Sequence, residues 1–151
     1  MTSGRRTRRT LLGRHSLSLS VGGILALWLV LYIRADPSTH LGAFYGNAVA
    51  DWLGTFVLVI ATKYLFEIGS PESRRPHPQE CGPLKRLLID HSLTIVLVIT
   101  GVAWAVTFAR MDPNGKAGQV VGNIVSEWTQ LLGIVVITKY TREIGSKESR
   151  R

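Results

Sequence analysis

Ser92-Leu93-Thr94-Ile95-Val96-Leu97-Val98-Ile99-Thr100-Gly101-Val102-Ala103-Trp104-Ala105-Val106-Thr107-Phe108-Ala109 runs for eighteen residues without one charged side chain. At about 1.5 Å per residue, a helix of this length nearly matches the roughly 30 Å hydrocarbon core of a bilayer. Three more apolar blocks have a similar reach, at about residues 16–33, 47–66 and 123–140. Charged residues make up only 19% of the 151, and 46% are hydrophobic, which together with this blocking excludes an ordinary soluble domain. A single Cys permits no intramolecular disulfide and no Cys-based zinc site, and the four His are scattered, so no metal or cofactor is expected.

Working outward, the block belongs to a duplication. When residues 15–75 are laid over residues 91–151, a constant offset of 76, about 25 of the 61 positions are identical. His15-Ser16-Leu17 returns as His91-Ser92-Leu93, Asp36-Pro37 as Asp112-Pro113, Gly46-Asn47 as Gly122-Asn123, and Thr62-Lys63-Tyr64 as Thr138-Lys139-Tyr140. Each copy holds two spans and returns to the side it left, so both copies enter the membrane in the same direction. The expected fold is an all-α integral membrane protein, a four-helix bundle of two parallel-oriented helical-hairpin repeats related by a pseudo-two-fold axis along the membrane normal. The expected organisation is a basic tail over residues 1–14, the first repeat over 15–69, a Pro-rich tether over 70–90, and the second repeat with its basic tail over 91–151.

Cationic residues set the orientation. Fifteen of the 18 Lys and Arg fall in the N-terminal tail, the tether with its flanks, and the C-terminal tail; only Arg34, Arg110 and Lys116 lie on the other side. By the positive-inside rule both termini and the tether are cytoplasmic, and the partner expected there is a surface of anionic lipid headgroups rather than nucleic acid. A cleaved twin-arginine export signal is the competing reading of Arg8-Arg9; the long apolar block and the lack of a small-x-small cleavage site weigh against it. Cys81 in the tether reads as a free thiol in a reducing compartment.

The second span of each repeat carries a polar stripe. At 3.6 residues per turn, Asn47, Asp51, Gly54, Leu58 and Thr62 share one face, as do Asn123, Glu127, Gln130, Ile134 and Thr138. Lipid cannot satisfy such groups, so the stripes should face the bundle interior or a second copy. With helices starting near Asn47 and Asn123, the arginines ending the preceding spans come to the height of the carboxylates, and Arg34 with Asp51 and Arg110 with Glu127 are the expected ion pairs, Asp36 and Asp112 competing. Three readings of Asp51 and Glu127 stand together: acidic helix starts capped by Asn47 and Asn123, carboxylates that handle a cation or proton, or part of a site for a ligand or partner. Trp28, Trp52, Trp104 and Trp128 read as an aromatic belt, Lys63 and Lys139 as snorkelling anchors, and Gly69 and Gly145 as helix C-caps.

No phosphate loop, His-Glu-x-x-His or Gly-x-Ser-x-Gly pattern occurs, and neither interhelical loop holds a potassium-channel filter. The function expected is therefore non-enzymatic: a membrane protein acting through assembly, with itself as a homo-oligomer or with a membrane-protein partner. The alternative is a small cation or proton channel or transporter using the paired carboxylates. A wet cavity joining the stripes would favour the alternative, whereas dry arginine–carboxylate pairs would favour assembly.

Asn123, Ser126, Glu127 and Trp128, followed by Gly145-Ser146-Lys147-Glu148-Ser149, resemble the Asn-x-x-Ser-Glu-aromatic and Gly-Ser-x-Glu-Ser motifs of an uncharacterised family of bacterial four-helix membrane proteins built from two such hairpins. The first copy keeps Asn47, Trp52 and Gly69-Ser70-Pro71-Glu72-Ser73 but has Ala50 and Asp51 in place of Ser and Glu. The resemblance implies a bacterial inner-membrane location and no particular activity.

Overall fold

The structure is a computed structural model that describes residues 11–73 and 82–141, with the side chains of residues 11–14 left aside. The helices are α1 (Leu11–Arg34), α2 (His40–Tyr64), α3 (Pro83–Asp90), α4 (Ser92–Ala109) and α5 (Lys116–Tyr140). Stretches within four of them, His15–Arg34, His40–Tyr64, Ser92–Ala109 and Lys116–Tyr140, are long and apolar enough to cross a membrane. In lipid a helix satisfies each backbone polar group within its own segment, which lets these Gly- and Val-rich sequences stay helical against their modest propensity in water.

The helix starts correct the sequence reading. α2 and α5 begin at His40 and Lys116, two turns before Asn47 and Asn123, so neither asparagine is an N-cap. The cap of α2 is Thr39, whose hydroxyl accepts from the Gly42 amide at 3.1 Å. Ahead of it Asp36 accepts from the Ser38 amide and hydroxyl at 2.9 and 2.8 Å, which closes the turn after Pro37 and holds the Asp36 carboxyl below the usual carboxylate range. The equivalent turn leads into α5, with Asp112 accepting from the Asn114 amide at 3.0 Å. Both turns press on their helix: a Cβ on Gly42 or Gly118 would overlap the carbonyl oxygen of Asp36 or Asp112.

Helix ends differ too. α2 stops at Tyr64, with Leu65 already extended at φ −108° and ψ 155°. Gly69 has the left-handed φ of +85°, but in a turn further on and not at a helix cap. Gly145, the second Gly-Ser-x-Glu-Ser motif, Cys81 and residues 1–10 lie outside the described residues. The tether is partly helical: Gly82 and Pro83 open α3, where Pro at the first position costs no hydrogen bond.

The spans pack in the order α1, α2, α5, α4, with α2 and α5 at the centre. Ala61, Leu93, Leu97, Leu131 and Val135 form an apolar cluster in the half nearer the tether, and Ala50, Ile124 and Trp128 form another nearer the hairpin turns. Trp128 is only 5% exposed and donates its indole N–H to Thr100 at 2.8 Å, so it is a core residue and not a member of an interfacial belt. Outward faces carry exposed Leu27, Ile99, Val102 and Ile137, as lipid-facing surfaces should.

Candidate functional site

The polar stripes meet along the seam between α2 and α5. Gly46 and Gly122, 76 residues apart, open that seam: a Cβ would come within 3.1 Å of the Tyr32 ring at Gly46 and 3.0 Å of the Phe108 ring at Gly122. Two rings, from α1 and α4, thereby close over the two central helices. Between them lies a cleft of about 370 Å³ lined by Tyr32, Phe108, Pro113, Gln119, Asn47 and Asn123 among others. The asparagines are its deepest lining residues along each helix, and the Asn123 amide donates to the Asn47 side-chain oxygen. Lys116 ties the start of α5 to the end of α1, donating to the carbonyls of Ile33 and Ala35 at 3.1 and 2.7 Å, while the Tyr32 hydroxyl donates to the Lys116 carbonyl. A cation at the C-terminal end of α1 is favoured by the helix dipole.

One turn below the asparagines, the side chains of Asp51 and Glu127 lie against each other. Gln130 donates to Glu127 at 3.4 Å. Glu127 packs against Gly54 of α2, where an added Cβ would stand in ordinary contact at 3.4 Å from a carboxylate oxygen. Asp51 is exposed and Glu127 half-buried.

The expected ion pairs do not form. Among the described residues neither Arg34 nor Arg110 is paired with a carboxylate. The reason is the earlier helix start: Asp51 and Glu127 lie eleven residues into α2 and α5, about 16 Å along each axis. Arg34 and Arg110, by contrast, sit at the turns where those helices begin. The stripes also part company further down. Thr62 and Thr138 donate to carbonyls of their own helices, Leu58 and Ile134, at 2.7 and 2.6 Å. The cluster of Leu131, Val135, Ala61 and Leu58 stands between the carboxyl pair and those threonines.

A second polar cluster, unforeseen from the sequence, lies at the tether end. Glu67 is 2% exposed, and one carboxylate oxygen meets His91 Nδ1 at 2.7 Å and Lys139 Nζ at 2.8 Å. Burial alone would raise this carboxyl, but the hydrogen bonds from Lys139 and His91, with the Lys139 charge, outweigh it and hold the group below the ordinary glutamate range. Lys139 is therefore an internal partner rather than a headgroup anchor. The available signal was the identity of Glu67 with Glu143 and of His91 with His15 at the 76-residue offset. Lys63, the counterpart of Lys139, contacts His15 at 3.2 Å.

No protein-family model, curated protein or solved structure matches the chain.

Proposed function

We propose that this is a non-enzymatic protein of a bacterial inner membrane, with both termini cytoplasmic, in which Asp51 and Glu127 take up a proton or small cation from the cleft between the hairpins. The observation that carries the reading is the placing of both carboxyl groups at one level of the α2–α5 seam, one turn from the bonded Asn47 and Asn123 and with Glu127 packed against Gly54, within the spans and without a cationic partner among the described side chains. Two neighbouring carboxylates repel each other when both are ionised, on top of the cost of placing each in the membrane. A shared proton or a bound cation removes that repulsion. The cleft leads from the hairpin-turn end down to the Asn47 and Asn123 pair, one turn short of the carboxyl groups, so uptake requires the asparagines to part. Contacts between residues 76 apart, Asn47 with Asn123 and Asp51 with Glu127, support a pseudo-two-fold axis through the seam.

The apolar cluster below the pair closes the route to the other end, so uptake from one side followed by rearrangement fits better than a standing pore. Assembly is the second reading, favoured by the exposure of Asp51, Thr55, Ser126 and Gln130 within the spans, which a second copy or a membrane partner would cover.

Flux in liposomes tests the proposal. Wild type should move protons or a monovalent cation down an imposed gradient, and Asp51→Asn with Glu127→Gln, equally folded and inserted, should fall to the level of empty vesicles. Background flux from both proteins, over several ions, overturns uptake coupled to transport and leaves assembly as the reading.

A further inference from the structure

The tether helix α3 bears a surface that neither the seam nor the core uses. Leu84, Leu87 and Leu88 fall within an arc of about 100° on the helix, and they are 69%, 56% and 51% exposed. Lys85 and Arg86 lie off that arc and are also exposed, with Arg86 reaching Asp90 at 3.8 Å across one turn.

The position of α3 relative to the spans is fixed. Only His91, at φ −123° and ψ 18°, separates it from α4. The Ile68 amide donates to the Asp90 carbonyl at 2.7 Å, the Phe66 amide to the Ser92 hydroxyl at 2.9 Å, and the Leu93 amide to the Phe66 carbonyl at 3.1 Å. The Glu67 carboxylate binds His91 at the same corner. The end of α3 is thus pinned just past the end of α2. At that level Tyr64 and Tyr140, 71% and 77% exposed, sit beneath the ammonium groups of Lys63 and Lys139 at 5.0 and 5.7 Å. Exposed tyrosines at the ends of two spans mark the level of a membrane–water boundary.

We infer that α3 lies on the bilayer surface at this end, with Leu84, Leu87 and Leu88 at the acyl boundary and Lys85 and Arg86 against the phosphates of anionic lipids. A short amphipathic helix with leucines on one face and cations beside them is suited to that interface, where burial of the leucines and attraction to negative headgroups add.

The full chain carrying Cys81→Ser tests this, with a nitroxide attached in turn through Leu84→Cys, Leu87→Cys, Leu88→Cys and Arg86→Cys. Proteins are reconstituted into phosphatidylcholine vesicles with or without phosphatidylglycerol, insertion being confirmed by resistance to alkaline extraction. Labels at 84, 87 and 88 should collide more with oxygen than with a water-soluble nickel complex, and the label at 86 should show the reverse. Phosphatidylglycerol should strengthen the contrast, and Lys85→Gln with Arg86→Gln should abolish that gain. Nickel access at all four positions would place the helix in water, and exclusion of both reagents at the leucines would place it against another protein chain; either result overturns the inference. A contrast indifferent to phosphatidylglycerol overturns its anionic-lipid part.

Discussion

Glu67 is the residue on which the tether end of the molecule turns. It is buried, it answers to two cationic-capable partners on different elements, and its carboxyl is held below the ordinary value of 4.5. A lowered folded-state value means that ionisation stabilises the fold above the unfolded value and that this contribution disappears as pH falls through the folded one. Glu67→Gln keeps the shape but loses the charge, leaving Lys139 poorly matched, and should cost roughly 2–3 kcal/mol at neutral pH, less than full loss of a buried partner. Thermal unfolding in detergent across pH should show the gap between wild type and variant wide at pH 7 and closing below 4.5. A gap that does not narrow would mean the carboxyl is held by packing and not by charge. Trp128 gives a second test at this scale. Trp128→Phe removes the hydrogen bond to Thr100, worth about 1 kcal/mol, whereas Trp128→Ala also opens a cavity and should cost about 3–5 kcal/mol. The same unfolding assay separates them, and equal losses would refute the core placement.

The hairpin turns are the elements whose geometry sets the site. Gly42 and Gly118 let each turn fold onto its helix, because the carbonyl of Asp36 or Asp112 occupies the place of a side chain. Gly42→Ala and Gly118→Ala should each destabilise by roughly 2 kcal/mol through backbone displacement. Gly23→Ala, where a Cβ meets nothing within 4 Å, should be neutral or slightly stabilising through helix propensity; denaturation of the three variants side by side checks this. These turns also show what could be read from the sequence. The spans were legible because length and the scarcity of charge are properties of a segment alone, and Ser92–Ala109 has the expected bounds. The starts of α2 and α5 were not legible, because Asn47 and Asn123 look like caps while the working caps, Thr39 and Gly115, lie beyond stretches that include His40, Lys116 and several glycines. That two-turn error displaced the carboxylates from the arginines and produced the ion pairs that do not form. The stripe itself came from helical periodicity and was legible. That the two stripes would face each other, and that Lys139 would turn inward to Glu67, depended on packing between elements, which periodicity along one helix cannot encode.

At the scale of the whole molecule, the decisive matter is whether the central seam lies within one chain. Asn47 and Asn123 occupy the same position in the two copies of the duplicated sequence, and they are joined by a hydrogen bond across α2 and α5. The polar groups of a membrane span can be satisfied equally by a partner helix from a second chain, so an arrangement in which Asn47 met Asn47 of another copy would also obey the chemistry. The two arrangements differ in what a short crosslinker would join. With Cys81→Ser, the pair Asn47→Cys and Asn123→Cys treated with a short bis-methanethiosulfonate should yield a crosslinked single chain of altered mobility, at high yield even when protein is diluted in lipid. Each single variant should give little product. Covalent dimers from both single variants, falling on dilution, would move the seam to a subunit interface and require Asp51 and Glu127 to find their partners there. Intramolecular linkage would instead leave the carboxyl pair as a property of one folded chain, so that ion uptake would need no oligomer, and the exposed faces of Thr55, Ser126 and Gln130 would be the place to look for one.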